Sequence, residues 1–212
     1  MENTLLTNLS ITGLLNETAS SSPAPGGGSI SALAAALGAA LTSMVCRLTI
    51  GKKKYALVQS GMEDVLGKSE ALRMKLTALI DEDTAAFNKV MAAFGLPKDT
   101  DEQKVQRSAA IQEATKSATH VPLHLMELCA EAVALSGVVA EKGNQNSLSD
   151  AGVAALMLQA GCEGAALNIK INLASLQDAV FVEAARKTCD TLLARVTEST
   201  ALTMKQVKNV IG

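Results

Sequence analysis

Two stretches of this chain carry too little charge and too little bulk to face water on every side. From Ser29 to Cys46, eighteen residues pass without a single charge. A second run, from about Ala151 to Ile169, is nearly all apolar and rich in small side chains: Ala151, Gly152, Ala154, Ala155, Gly161 and Gly164. A helix that is apolar all round belongs at the centre of a bundle or inside a membrane. The Ala- and Gly-rich make-up, with Arg47 and three lysines close behind the first run, favours buried helices packed backbone to backbone over a membrane span. Two such helices in 212 residues also suggest that a second subunit covers one face, so a homodimer is expected.

The rest of the chain fits around those two helices. A short amphipathic helix is expected over about Leu5–Ala19, closed by a Ser-Pro-Gly loop from Ser20 to Gly28. The first central helix then runs from Ser29 to about Ile50, with Gly51 and Lys52-Lys53-Lys54 at its end. A long helical region follows from Tyr55 to Phe94, stopped by Gly95 and Pro97. Thr100, with Asp101 and Glu102, opens the next. It continues to about Glu141, with a kink or break expected at Pro122. Gly143-Asn144-Gln145-Asn146 punctuates the chain, Ser147 or Ser149 caps the second central helix, and a last helix covers about Gln177–Val210. Nothing alternates with period two for long enough to make a strand. The expected fold is all-α, one helical domain over residues 1–212, large enough to bury roughly 70% of its unfolded surface without disulfide or metal.

Composition narrows the function. Nineteen basic residues against 21 acidic ones, and only four aromatics (Tyr55, Phe87, Phe94, Phe181), leave no means of gripping or stacking nucleic acid. The four cysteines show no CxxC and no metal-site spacing, and the N-terminus lacks a cationic secretory start. A cytoplasmic protein with reduced thiols is therefore expected. His120 and His124 share a helix spacing, but Val121 and Pro122 stand where a zinc-binding helix would place its glutamate. No metal site is expected.

Four segments carry polar chemistry. Pro25-Gly26-Gly27-Gly28-Ser29 opens a helix; it is either an anion- or carbonyl-binding turn or a tight turn that lets helices approach. Lys52-Lys53-Lys54-Tyr55 is either a solvated, dipole-compensating cluster or a clamp for an anionic ligand. Asp81-Glu82-Asp83 sits in mid-helix among apolar neighbours, with Asp81 and Asp83 about 200° apart on the helix. The segment is either a solvated acidic turn or one in which one aspartate is buried and the other exposed. Gly143-Asn144-Gln145-Asn146-Ser147-Leu148-Ser149-Asp150 offers more polar side chains than one helix cap needs, a surplus suited to the edge of a flat heterocycle.

These same four segments, read as Ser22-Pro23-Ala24-Pro25-Gly26-Gly27-Gly28-Ser29, Leu48-Thr49-Ile50-Gly51-Lys52-Lys53-Lys54-Tyr55, Asp81-Glu82-Asp83-Thr84-Ala85-Ala86-Phe87 and Gly143 to Ala154, resemble the cyclodeaminase/cyclohydrolase family of folate enzymes from about Thr7 to Asn209. The resemblance implies an all-helical, typically dimeric enzyme acting on the one-carbon bridge of a reduced folate, with no cofactor. It extends to the stand-alone methenyltetrahydrofolate cyclohydrolases in Ser43-Met44-Val45-Cys46, in Gly95 to Glu102 and in Ala140 to Asn144. The alternatives are formiminotetrahydrofolate cyclodeaminase and a non-catalytic folate binder. On the resemblance, Asp83 or Asp81 would be the base and Lys52 or Lys53 the proton donor or electrostatic partner. Asn144, Asn146 and Asp150 would read the pterin edge. The turn from Pro25 through Gly26, Gly27 and Gly28 to Ser29, with Tyr55, would bound the pocket. The other lysines and Arg47 would attract the glutamate tail.

Overall fold

The computed structural model describes residues 5–212, and among them there is no strand. Six α-helices follow one another: α1 (Ile11–Thr18), α2 (Gly27–Thr49), α3 (Gln59–Phe94), α4 (Asp101–Lys142), α5 (Leu148–Ala174) and α6 (Ala179–Ile211). Short 3-10 turns precede α1, α3 and α5. Local chemistry sets most of the boundaries. The Thr100 side chain accepts from the Gln103 N–H while the Gln103 side chain returns to the Thr100 N–H, a complete capping box at the start of α4. The Asp178 carboxylate caps α6 by accepting from the Phe181 N–H. At the end of α2, Gly51 takes φ of +79°, the left-handed conformation that glycine adopts without a Cβ clash, and turns the lysine run away from the helix axis.

The two small-residue helices, α2 and α5, lie side by side at the centre and run antiparallel. Gly27 meets Asn168, Ser31 and Ala35 meet Gly161, and Gly38 meets Ala154 and Leu158. A Cβ on Gly161 would come within 2.7 Å of the Ser31 carbonyl oxygen, so this approach needs the bare glycine. The remaining helices wrap this pair: α3 and α4 pack on α2, while α4 and α6 pack on α5. The core is Ala, Leu, Val, Ile, Met and Cys; Ala35, Ala39, Leu76, Met126, Leu158 and Ile169 are sealed from solvent. All four cysteines are free and buried. Burial pushes the Cys46 thiol up to about 11 and the Cys162 thiol to about 12.

Two expectations change. Pro122 neither breaks nor ends α4, which runs unbroken for 42 residues; the proline is buried inside it. One backbone hydrogen bond is forgone there, and packing against α3, α5 and α6 holds the helix on either side. The cap expected from Ser147 or Ser149 is also absent: Ser147 precedes α5 without a side-chain cap bond, and Asn144 caps the preceding 3-10 turn instead, accepting from the Asn146 N–H. The central helices are not covered all round within the chain, in keeping with the expectation of one face left for a second subunit. α2, α4 and the α5 segment are long and apolar enough to cross a membrane, yet only 61%, 56% and 50% of their most apolar windows are buried inside the bundle. On α2 the open side shows Leu37 and Leu48; on α5 it shows Val153, Leu156, Leu167 and Ile171.

Candidate functional site

The chain leaves its Pro/Gly loop through a cis Ala24–Pro25 peptide and enters α2 at Gly26, whose carbonyl accepts the first helical bond from the Ile30 N–H. Asp83, from the middle of α3, reaches this helix start. The Ser29 hydroxyl donates to Asp83 Oδ2 at 3.1 Å and lies 3.1 Å from the Thr84 hydroxyl. A methyl group on Gly28 would fall inside the Asp83 carboxylate, so the glycine is what allows the carboxylate to lie against the helix backbone. Burial raises the Asp83 carboxyl above its usual range, and hydrogen bonds from the Ser29 hydroxyl and backbone N–H offset part of that rise. A desolvated carboxylate held by hydroxyl donors, with an elevated proton affinity, is suited to general-base work near neutral pH.

A cavity of about 420 Å³ opens beside it. Gly26, Gly27 and Gly28 form one wall with Asp83; Phe87 and Phe94 from α3 supply apolar surface; Asn168 and Asn172 from the end of α5 supply amides. None of the described residues lining it is cationic. The two asparagines went unnoticed in the sequence. Their signal is two amides four residues apart on one face of a largely apolar helix.

Asp81 is turned elsewhere. It accepts from the Leu6 N–H at 2.6 Å and from the Thr7 hydroxyl at 2.7 Å, and so ties the N-terminal segment to α3. Neither aspartate is the exposed member of the pair; each is half-buried with its own partners, and only Glu82 between them is exposed. Replacing Asp81 with Asn should therefore loosen residues 5–18 and cost about 1–3 kcal/mol of stability, with kcat nearly unchanged. Thermal melts and amide exchange of the N-terminal segment check the first part, and turnover checks the second.

The other predicted residues gather at the far end of α2. Lys52, Lys53 and Lys54 are exposed around a 3-10 turn, and the Lys54 ammonium lies 5.4 Å from the Tyr55 ring centre. The Tyr55 hydroxyl accepts from the Gln145 N–H at 3.0 Å. Asn144 is buried and fully engaged: its N–H donates to Thr49 Oγ1 at 2.8 Å, its amide NH₂ to the Leu48 carbonyl at 3.1 Å, and its amide oxygen accepts from the Asn146 N–H at 3.2 Å. Its side chain locks the start of α5 to the end of α2. Asn146 stays exposed, and Asp150 sits half-buried in the first turn of α5. A helix of 23 residues spans about 35 Å, so within one chain the lysine–asparagine cluster and the Asp83 cavity are separated by the length of α2. His120 packs edge-on to Phe181, and His124 pairs with Glu127. No group of three or more His, Cys, Asp or Glu residues able to hold a metal ion exists among the described residues.

The architecture is that of an all-helical acid–base protein, with a desolvated carboxylate fixed at a glycine-lined helix start and a cationic cluster at the other end of the same helix. The chain belongs to the formiminotransferase-cyclodeaminase family, whose sequence profile matches residues 10–191. It is 52% identical over 187 residues to a methenyltetrahydrofolate cyclohydrolase of Methylorubrum extorquens, covering 88% of this chain and 90% of that protein. It is 38% identical over 199 residues to the formimidoyltransferase-cyclodeaminase of Rattus norvegicus, but spans only 37% of that longer protein. The crystal structure of a formiminotetrahydrofolate cyclodeaminase from Thermotoga maritima superposes with a TM-score of 0.86 at 28% identity, over 97% of this chain and 98% of that one.

Proposed function

We infer that this chain is a methenyltetrahydrofolate cyclohydrolase, converting 5,10-methenyltetrahydrofolate to 10-formyltetrahydrofolate. The observation that carries the assignment is the 52% identity to the stand-alone cyclohydrolase over about nine-tenths of both lengths; the formimidoyltransferase-cyclodeaminases match at 38% or below over about a third of theirs, and the Thermotoga cyclodeaminase, matched over nearly its whole chain, is 28% identical. The Asp83 site supports the chemistry. Water attacks the bridging carbon and gives a proton to Asp83, forming a tetrahedral carbinolamine. The C–N5 bond then breaks, Asp83 returns its proton to N5, and the hydroxyl proton passes to solvent as the formyl group forms on N10. The amidinium carbon is already electrophilic, so the step asks for a base and an acid rather than a cofactor. Within one chain Lys52 and Lys53 stand the length of α2 away from Asp83, so a role for either as proton donor or electrostatic partner in this step requires a second subunit; the lysine cluster draws the anionic glutamate tail.

The enzyme acts as a homodimer through the open apolar sides of α2 and α5, and works in the cytoplasm with its cysteines reduced. Cyclodeamination is the second reading, kept by the shared fold and the 38% relatives. The direct test is purified protein with 5,10-methenyltetrahydrofolate and no added metal or nucleotide. Accelerated loss of the substrate's near-ultraviolet absorbance is expected. A rate equal to the uncatalysed one overturns the assignment.

A further inference from the structure

We propose that the Asp83 cavity reads the pterin ring of its substrate through a wall of hydrogen-bond acceptors on α4 and α5, one of them a backbone carbonyl set free by Pro122. The choice of ring rests on the cyclohydrolase reading above; the wall is read from the structure. Pro122 is buried inside an unbroken helix of 42 residues. It has no N–H, so the carbonyl of Ala118, four residues before it, lacks its helical partner. Ala118 and Pro122 both line the cavity. A backbone carbonyl at a cavity wall must find its donor in water or in a ligand.

Three side chains extend the wall. Thr115, one turn before Ala118, is only 5% exposed and lines the same cavity. Thr77 and Thr119 turn their hydroxyls back onto the carbonyl four residues earlier; Thr115 makes no such bond among the described residues. None of their buried hydroxyls is both sealed and unpartnered, so the Thr115 hydroxyl reaches open space, and the open space beside it is this cavity. On α5, the Asn168 amide donates to the Gly164 carbonyl at 2.9 Å, which fixes the group and leaves Oδ1 as an acceptor. Its nitrogen lies 3.7 Å from where a Cβ on Gly27 would sit, so the amide faces the glycine turn. Asn172, one turn on, has only its backbone carbonyl engaged among the described residues and keeps its amide for the cavity.

Acceptors outnumber donors on this wall, and the one charge among the described lining residues is the Asp83 carboxylate. A reduced pterin is the complement. Its 2-amino group, N3–H and N8–H are donors along one edge, and Thr115 and Asn172 can also donate to its N1 or O4. The apolar faces of the ring suit the surface that Phe87 and Phe94 supply. Asn144, given this role on the resemblance, is already consumed by Thr49 and Leu48.

Pro122→Ala is the direct test. It returns an N–H to α4 and closes the Ala118 carbonyl into a helical bond, so Tm should rise. KM for 5,10-methenyltetrahydrofolate should rise with it, by roughly tenfold, while kcat changes little. Thr115→Val, which removes the hydroxyl and keeps the shape, should raise KM likewise. The second readout is discrimination against the substrate's 2-desamino-2-methyl analogue, in which a methyl group replaces the amino donor. Wild type should reject it by roughly 10²-fold or more in kcat/KM, because the acceptors are left unpaired. The double variant, Pro122→Ala with Thr115→Val, should reject it by less than about tenfold. Unchanged KM in both single variants overturns the wall, as does equal discrimination in wild type and double variant. Calorimetry with 6-methyltetrahydropterin reports on the ring without the reaction. Equal affinity in wild type and Pro122→Ala overturns the wall. Tighter binding by a wild type that leaves methenyltetrahydrofolate unhydrolysed keeps the ring site and overturns the cyclohydrolase reading instead.

Discussion

Asp83→Asn should abolish most turnover, by roughly 10²-fold or more in kcat, while the protein folds as well as before or better. The two effects have one cause. Burial raises the Asp83 carboxyl above its usual range, so the folded state holds this proton more tightly than the unfolded chain does. Such a group contributes stability below its unfolded pKa, near 3.9, and that contribution is lost as pH rises through the folded value. At neutral pH the charged carboxylate is thus a net cost to folding, which the neutral, isosteric amide removes. Melting curves should show a Tm for Asp83→Asn equal to or above wild type at pH 7, with the advantage gone at pH 4. The same elevation sets the acid limb of the wild-type kcat/KM profile above the ordinary carboxylate range. A variant that is inactive because it is unfolded, or one that keeps full activity, contradicts the assignment of the base.

Gly28→Ala should be nearly as damaging. Near a helix start, alanine ordinarily favours folding by about 0.4–1 kcal/mol through the unfolded state. Here its methyl group would take the space of the Asp83 carboxylate, which must swing away and give up the Ser29 hydroxyl. Displacement of a catalytic group by about 1 Å can cost on the order of 10²-fold, so kcat should fall by about that factor with KM less affected. Gly67→Ala is the control: it lies in α3 with open space around it, and the same change there should stabilise by roughly 0.5–1 kcal/mol and leave turnover alone. Equal activity in the two variants would show that the carboxylate does not depend on its seat against α2.

Much of this architecture was legible in the sequence because its causes are local. Charge-free runs of small residues mark α2 and α5, Thr100 marks the start of α4, and Gly51 with the lysines marks the end of α2. The separation of Gly26–Ser29 from Lys52–Tyr55 was equally available, since one uninterrupted helix lies between them and its rise per residue is fixed. What was not legible depends on contacts between distant segments. Asp81 and Asp83 look equivalent in the chain, and only the arrival of Leu6 and Thr7 at one and of Gly28 and Ser29 at the other separates their roles. Asn144 reads as a ligand-binding amide until Thr49 and Leu48 are seen to consume it. Pro122 reads as a kink or break, because the helices that pack on α4 and keep it continuous come from elsewhere in the chain.

The most direct measurement is the ratio of kcat/KM for two substrates on one preparation: opening of 5,10-methenyltetrahydrofolate followed by absorbance, and ammonia release from 5-formiminotetrahydrofolate. Hydrolysis needs a pocket that admits and activates water, whereas cyclodeamination must exclude water while the folate's own N10 attacks. One pocket serves these demands unequally, and methenyl hydrolysis should run ahead by at least about tenfold. Ammonia release that outpaces methenyl opening would contradict it.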